Sequence, residues 1–110
     1  MSEEYVGKVI DAANTVNYQD GSVVSKTLID KGVGTVTLFA FAEGQGLSEH
    51  ISPYDAMVQV IDGSGSITID GEEITVNTGE MIIMPAMKPH ALMAKVPFKM
   101  ILTMIRPPKE

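Results

Sequence analysis

His50 and His90 are the only imidazoles in the chain. Imidazole ligates metals, relays protons and changes charge near neutral pH. Each histidine stands beside a short apolar segment and just after a turn. His50 follows Gly44-Gln-Gly46-Leu-Ser-Glu49, and His90 follows Pro85-Ala-Met-Lys-Pro89. Two isolated histidines in a strand-rich sequence point to one site assembled from distant segments. Such a pair can hold a divalent ion, orient a small molecule by hydrogen bonds, or satisfy itself as two bonded core side chains.

Other chemistries find less support. There is no Cys, which removes disulfides, thiolate zinc sites and thiol catalysis and suits the cytoplasm. Ser48 and Ser52 flank His50 too closely for a triad to be read from sequence. Gly63-Ser-Gly65 reads as a hairpin turn, and no Gly-Lys-Ser/Thr follows it to cradle phosphate. Eight Met are present; they are dispersed, which suits core or pocket lining better than a copper site. Fourteen acidic residues against eight basic ones give a net charge of −6, the wrong sign for a nucleic-acid partner. Lys95, Lys99, Arg106 and Lys109 are scattered and read as solvated. The acidic start Met1-Ser-Glu-Glu4 does not read as a signal peptide. The apolar runs fall short of the ~20 residues a membrane helix needs.

The elements that must position the histidines are strands. Turn signals recur at Asp20-Gly21, Lys31-Gly32, Gly44 to Gly46, Asp62-Gly63, Asp70-Gly71, Asn77 to Gly79 and Pro85 to Pro89. Between them lie Val-, Ile- and Thr-rich stretches. Strands are expected over Val23–Ile29, Thr35–Phe41, Ala56–Ile61, Ile67–Ile69, Ile74–Val76, Met81–Met84, His90–Ala94 and Phe98–Ile105. The 110 residues make one all-β domain, with residues 1–20 as an N-terminal arm and 106–110 as a tail. Val9, Ala13 and Val16 share a helical face in the arm, although Asn14 and Asn17 weaken a helix. Two strands, Thr35–Phe41 and Phe98–Ile105, are apolar on both faces and need cover on both. A homodimer would supply it; the alternative is that Val9–Tyr18 folds back over the sheet.

The spacing of the turns and histidines resembles the cupin superfamily, over about residues 33–105. Cupins carry a first motif of Gly, five residues, His, one residue, His, three or four residues, Glu, six residues, Gly. Gly44, His50 and Gly63 match it, whereas Ser52 takes the second His position and Ala56 the Glu position. The second motif is Gly, five residues, Pro, one residue, Gly, two residues, His, three residues, Asn. Gly79, Pro85 and His90 match; Met87 and Ala94 replace the Gly and the Asn. The resemblance implies a double-stranded β-helix, a jelly-roll barrel. In metal-bearing cupins three His and the Glu bind Fe, Mn, Ni, Zn or Cu. This chain keeps two of those four donors. Asp55 adjoins the Glu position, but strand parity turns it outward unless a bulge at Pro53 resets the register.

Three functions follow from this pattern. The first is a small-molecule pocket in which His50, His90 and Ser52 orient a small apolar ligand against Ala56, Val58, Val60 and Leu92. The second is a divalent-metal oxygenase or isomerase using His50 and His90, completed by Asp55 or water. The third is a structural or interaction module that uses the two-sided apolar strands.

Overall fold

The Val-, Ile- and Thr-rich segments form eight strands in the computed structural model, which describes residues 3–107. After a 3-10 turn at Glu3–Tyr5 comes a single helical turn, α1 (Ala12–Thr15). The strands follow as β1 (Val23–Lys31), β2 (Gly34–Phe41), β3 (Gly46–His50), β4 (Asp55–Ile69), β5 (Glu72–Asn77), β6 (Met81–Met84), β7 (His90–Met93) and β8 (Phe98–Ile105). All pairings are antiparallel. One sheet runs β1-β2-β8-β4-β6 and the other β3-β7-β4-β5. The first half of β4 belongs to one sheet and the second half to the other, so this one strand joins the two walls. The result is the all-β jelly roll expected, with a short helix in the arm.

Two readings of strand and turn differ from the observed fold. Gly63-Ser-Gly65 is not a hairpin turn but the corner at which β4 passes from one sheet to the other, beside a bulge between Val60 and Asp62. The glycines are required by close approach as well as by conformation. Gly63 has φ +73°, and a Cβ there would lie 2.1 Å from the Pro97 carbonyl oxygen; one on Gly65 would lie 2.8 Å from the Phe98 ring. Gly-rich sequence marks a turn and a backbone close approach alike, so the sequence split one long strand into two. Second, Gly46–His50 is a strand although its composition is mostly polar.

The interior is packed around a column of aromatic rings. Phe41 and Phe98 stack at 4.7 Å and Phe39 and Phe41 at 5.6 Å. Val58, Val60, Ile67, Met84, Met100, Leu92 and Leu102 join the same buried cluster. Full burial of a large apolar side chain is worth about 1.5–3 kcal/mol, so this column is the main anchor of the barrel.

The arm covers part of the outer face of the first sheet. Val16 is buried with Leu38 and Ala40, and Ala12, Val24, Leu28, Ile61 and Ile101 pack around them. Val9 takes no part in that face and is fully exposed, because α1 begins only at Ala12. Lys99 is corrected from solvated to buried, at 7% exposure. It projects outward from β8, beneath the arm. Its ammonium donates to the Ala13 carbonyl at 2.5 Å and lies 4.8 Å from the centre of the Tyr18 ring. The Tyr18 hydroxyl in turn donates to Asp62; burial first, and then this carboxylate, push the phenol pKa up. Lys95 and Arg106 lie nearer the surface, Lys95 paired with Glu73 at 2.9 Å; Lys109 falls outside the described residues. No helix among the described residues is long and apolar enough to cross a membrane.

Candidate functional site

His90 opens β7 and is buried; His50 closes β3 and is exposed. The two are register partners across the sheet. A bulge brings them onto one face. Leu47 pairs with Leu92 and His50 with His90, so three steps along β3 match two along β7. Without the extra residue, strict alternation would turn Glu49 inward and His50 to solvent. On the other flank of His90 lies its partner Ile69 of β4.

The two rings meet edge to face, with centroids 4.4 Å apart and Nε2 atoms 3.1 Å apart. Each Nδ1 faces a backbone carbonyl two residues earlier. His50 Nδ1 is 2.8 Å from Ser48 O, and His90 Nδ1 is 3.3 Å from Lys88 O. A carbonyl oxygen only accepts, so each Nδ1 must carry a hydrogen to bond there. A third hydrogen is needed between the two Nε2 atoms. Two neutral imidazoles supply only two, so the neutral pair is one donor short. Either a proton is shared between the rings, or a metal or ligand donor meets the two lone pairs. Charging His90 is opposed: its pKa is held below the ordinary value, first by burial, then by the charge of His50, with the Lys88 carbonyl pulling back.

The opposite wall at this end comes from the first sheet. Thr35 pairs with Met104, Met104 with Ala56, and Ala56 with Met84. These four residues form one row on the inward face. The row sits at the histidine end because short loops connect Ala56 back to His50 and Met84 on to His90. Thr35 Oγ1 is buried and has no hydrogen-bond partner among the described residues. A buried hydroxyl left in that state costs about 1–3 kcal/mol unless something completes it. Sequence reasoning missed Thr35. The available signal was the hydroxyl pair Thr35 and Thr37 alternating into the same face as Phe39 and Phe41.

Three ties fix the two histidine loops, two between them and one from the β4–β5 turn to the His90 loop. Met87 N donates to Ser52 O at 2.8 Å, and Asp70 N to Pro89 O at 2.8 Å. Ala86 N donates to Asp55 Oδ1 at 2.9 Å. Asp55 therefore does not join the histidines: it is exposed and faces outward as parity requires, and the described residues contain no group of three His, Cys, Asp or Glu that could hold a metal. The Ser52 hydroxyl accepts from Tyr54 N at 3.0 Å, a local turn contact. Ala56, Val58, Val60 and Leu92 all belong to the packed core, with Val58 and Val60 fully buried. Met87 keeps the left-handed backbone of the glycine it replaces, at φ +67°, and its side chain is 65% exposed.

These features coincide with what the comparisons find. Residues 37–105 match the family model described as Cupin domain, and the chain belongs to that family. It is similar to a crystal structure of a conserved protein of unknown function from Streptococcus pyogenes, at 38% identity and TM-score 0.89, covering 94% of this chain and 90% of that one. A Cupin 2 conserved barrel domain protein from Leptotrichia buccalis is 40% identical with TM-score 0.83; the match covers 86% of this chain and 46% of that longer one. A cupin superfamily protein from Desulfitobacterium hafniense is 26% identical with TM-score 0.86, over 92% and 93% of the two chains. No curated protein matches the sequence.

Proposed function

We propose that this protein is a small-molecule-binding cupin domain and that His50, His90 and Thr35 form its recognition centre. The observation that carries the reading is a polar deficit at one end of the barrel. The paired imidazoles lack one donor, and Thr35, on the inward row at the same end of the barrel, has a buried hydroxyl without a partner among the described residues. A ligand bearing a hydroxyl or amine would meet the imidazole lone pairs. Its apolar part would lie against Ala56, Met84, Met104 and Ile69. Such a site, mostly apolar with a few fixed polar groups, is the usual form of a ligand pocket. The cysteine-free composition suits the reducing cytosol, the compartment in which we propose it works.

The metal-enzyme reading has one observation in its favour. Nδ1 atoms tied to carbonyls leave both Nε2 atoms free, as in metal-ligating histidines. The rest of the donor set does not fit. Ser52 and Ala56 hold the other two family positions, and no carboxylate among the described residues joins the pair to make a group of three.

The test is a titration of isotopically labelled protein with a panel of small alcohols, phenols and amines, followed by NMR. Shifts centred on the His50 and His90 rings and the Thr35 amide, lost in Thr35→Val and in His90→Phe, are expected. Shifts indifferent to both substitutions, or no shift with any probe, would overturn the proposal. Elemental analysis of the same protein, purified without chelator, addresses the metal reading: near-stoichiometric metal lost in His50→Ala/His90→Ala would put it first.

A further inference from the structure

The strand row that carries the histidines does not end at Ile69. His50 pairs with His90, His90 with Ile69, and Ile69 with Glu72. Register partners share a face, so Glu72 stands on the inward face of the second sheet. The next residue obeys the alternation: Glu73 turns outward, where it pairs with Lys95 at 2.9 Å and accepts from the Ser66 hydroxyl at 2.8 Å. Glu72 is exposed and lies two strand spacings from His90, about 10 Å along the sheet. It does not complete a group of three that could hold a metal among the described residues.

The polar groups that this row offers a ligand are acceptors. The two Nδ1 atoms face carbonyls, which leaves the Nε2 lone pairs for a ligand. The Glu72 carboxylate only accepts, and the Thr35 hydroxyl of the opposite wall can accept as well as donate. The strand cations Lys26, Lys31 and Lys99 pair with Leu38, Gly34 and Ala40 on the outward face, and Lys88 belongs to the loop before β7. The chain as a whole carries a charge of −6. This end is open: His50 is exposed, and Thr35, Ile69 and Met104 are only partly buried, so a bound cation keeps part of its hydration. A carboxylate ligand would bring no hydrogen and would meet Glu72 as a like charge. An alcohol brings one hydrogen to several acceptors. A primary ammonium brings three, with a charge opposite to that of Glu72. Resting on the small-molecule reading above, we infer that the site takes a small organic cation with N–H donors, a primary ammonium, and that Glu72 selects its charge.

Four propyl compounds separate charge from hydrogen: propylammonium, trimethylpropylammonium, 1-propanol and propionate. Each is titrated in low salt into the isotopically labelled full chain at about pH 8, above the ordinary imidazole pKa of about 6.5, and followed by NMR. Propylammonium should shift the His50 and His90 rings and the Glu72 amide. It should bind about tenfold tighter than trimethylpropylammonium, which has the charge without the hydrogens. Propionate should not bind. Glu72→Gln, at an exposed position, should weaken propylammonium about threefold and leave 1-propanol unchanged. Propionate binding as tightly as propylammonium would overturn the inference, and so would propylammonium binding that is indifferent to Glu72→Gln. Shifts from 1-propanol at the histidines, with none from propylammonium, would overturn it while the small-molecule reading stood. Silence from all four compounds would remove both.

Discussion

The two ends of the barrel are built on opposite principles. At the Phe98 end, long strands meet at the bulged corner of β4, and glycines let backbone and ring come within close contact. Stacked aromatic rings fill the space, and the nearby Lys99 on the outer face finds both an acceptor and an aromatic partner. At the histidine end, strands are short and β3 is bulged. Met87 occupies a backbone conformation that favours glycine, two imidazoles are one hydrogen short, and the Thr35 hydroxyl is orphaned. Strain and unsatisfied polar groups of this kind collect where a protein does something other than fold. The contrast supports the proposed recognition centre at one end and sets the packed anchor at the other.

Breaking the stable end should cost most. Phe98→Ala removes a ring with no exposed surface that stacks on Phe41 and seats the Gly65 corner. A loss of about 3–5 kcal/mol is expected, measured by urea unfolding. A loss under about 1 kcal/mol would mean that the corner repacks.

At the functional end the effects should be smaller and more local. Asp55→Ala leaves the Ala86 amide without its acceptor and should cost about 1–2 kcal/mol. Faster hydrogen exchange at Ala86 and Met87, with no change at Phe98, would mark it as a positioning residue of the loops. Met87→Gly should go the other way. Removing a left-handed non-glycine stabilises, offset by the entropy glycine adds to the unfolded chain, for a net gain of about 0.5 kcal/mol seen as a higher Tm. A lower Tm would show that the Met87 side chain holds the loop.

The smallest effect is that of pH. His90 has a folded pKa below its ordinary 6.5, so the unfolded chain takes up that proton first. The corresponding stability is complete above about 6.5 and is lost as pH falls toward the folded value. Wild-type Tm should drop more between about pH 7.5 and about pH 5.5 than that of His90→Phe. Parallel curves would count against a buried, disfavoured imidazole.

Much of this contrast was legible in the sequence. Turn residues and β-branched runs mark the strands, and the spacing from Gly44 to His50 and from Gly79 to His90 marks the barrel and brings the histidines together. The misses have common physical causes. Gly63 and Gly65 look like a turn because composition reports permissive backbone, not whether the chain reverses or another segment presses close. Gly46–His50 lacks the apolar alternation of a strand because its pairing with β7 and a bulge decide its course. Lys99 reads as solvated because the arm that buries it is remote in sequence. The Thr35 deficit and the Nδ1–carbonyl contacts depend on ångström-scale geometry that no pattern of residue types encodes.

Ring-nitrogen NMR reads out whether the His50–His90 pair is one donor short. Long-range ¹H–¹⁵N correlation on histidine-labelled protein reads the protonation of all four ring nitrogens as pH is varied. In the completed pair both Nδ1 atoms are expected to be protonated, with a single added proton shared between the Nε2 atoms and displaced when a ligand donor binds. A fixed neutral pair, with one Nδ1 bare and one Nε2 protonated throughout and unchanged by any ligand, would contradict that expectation.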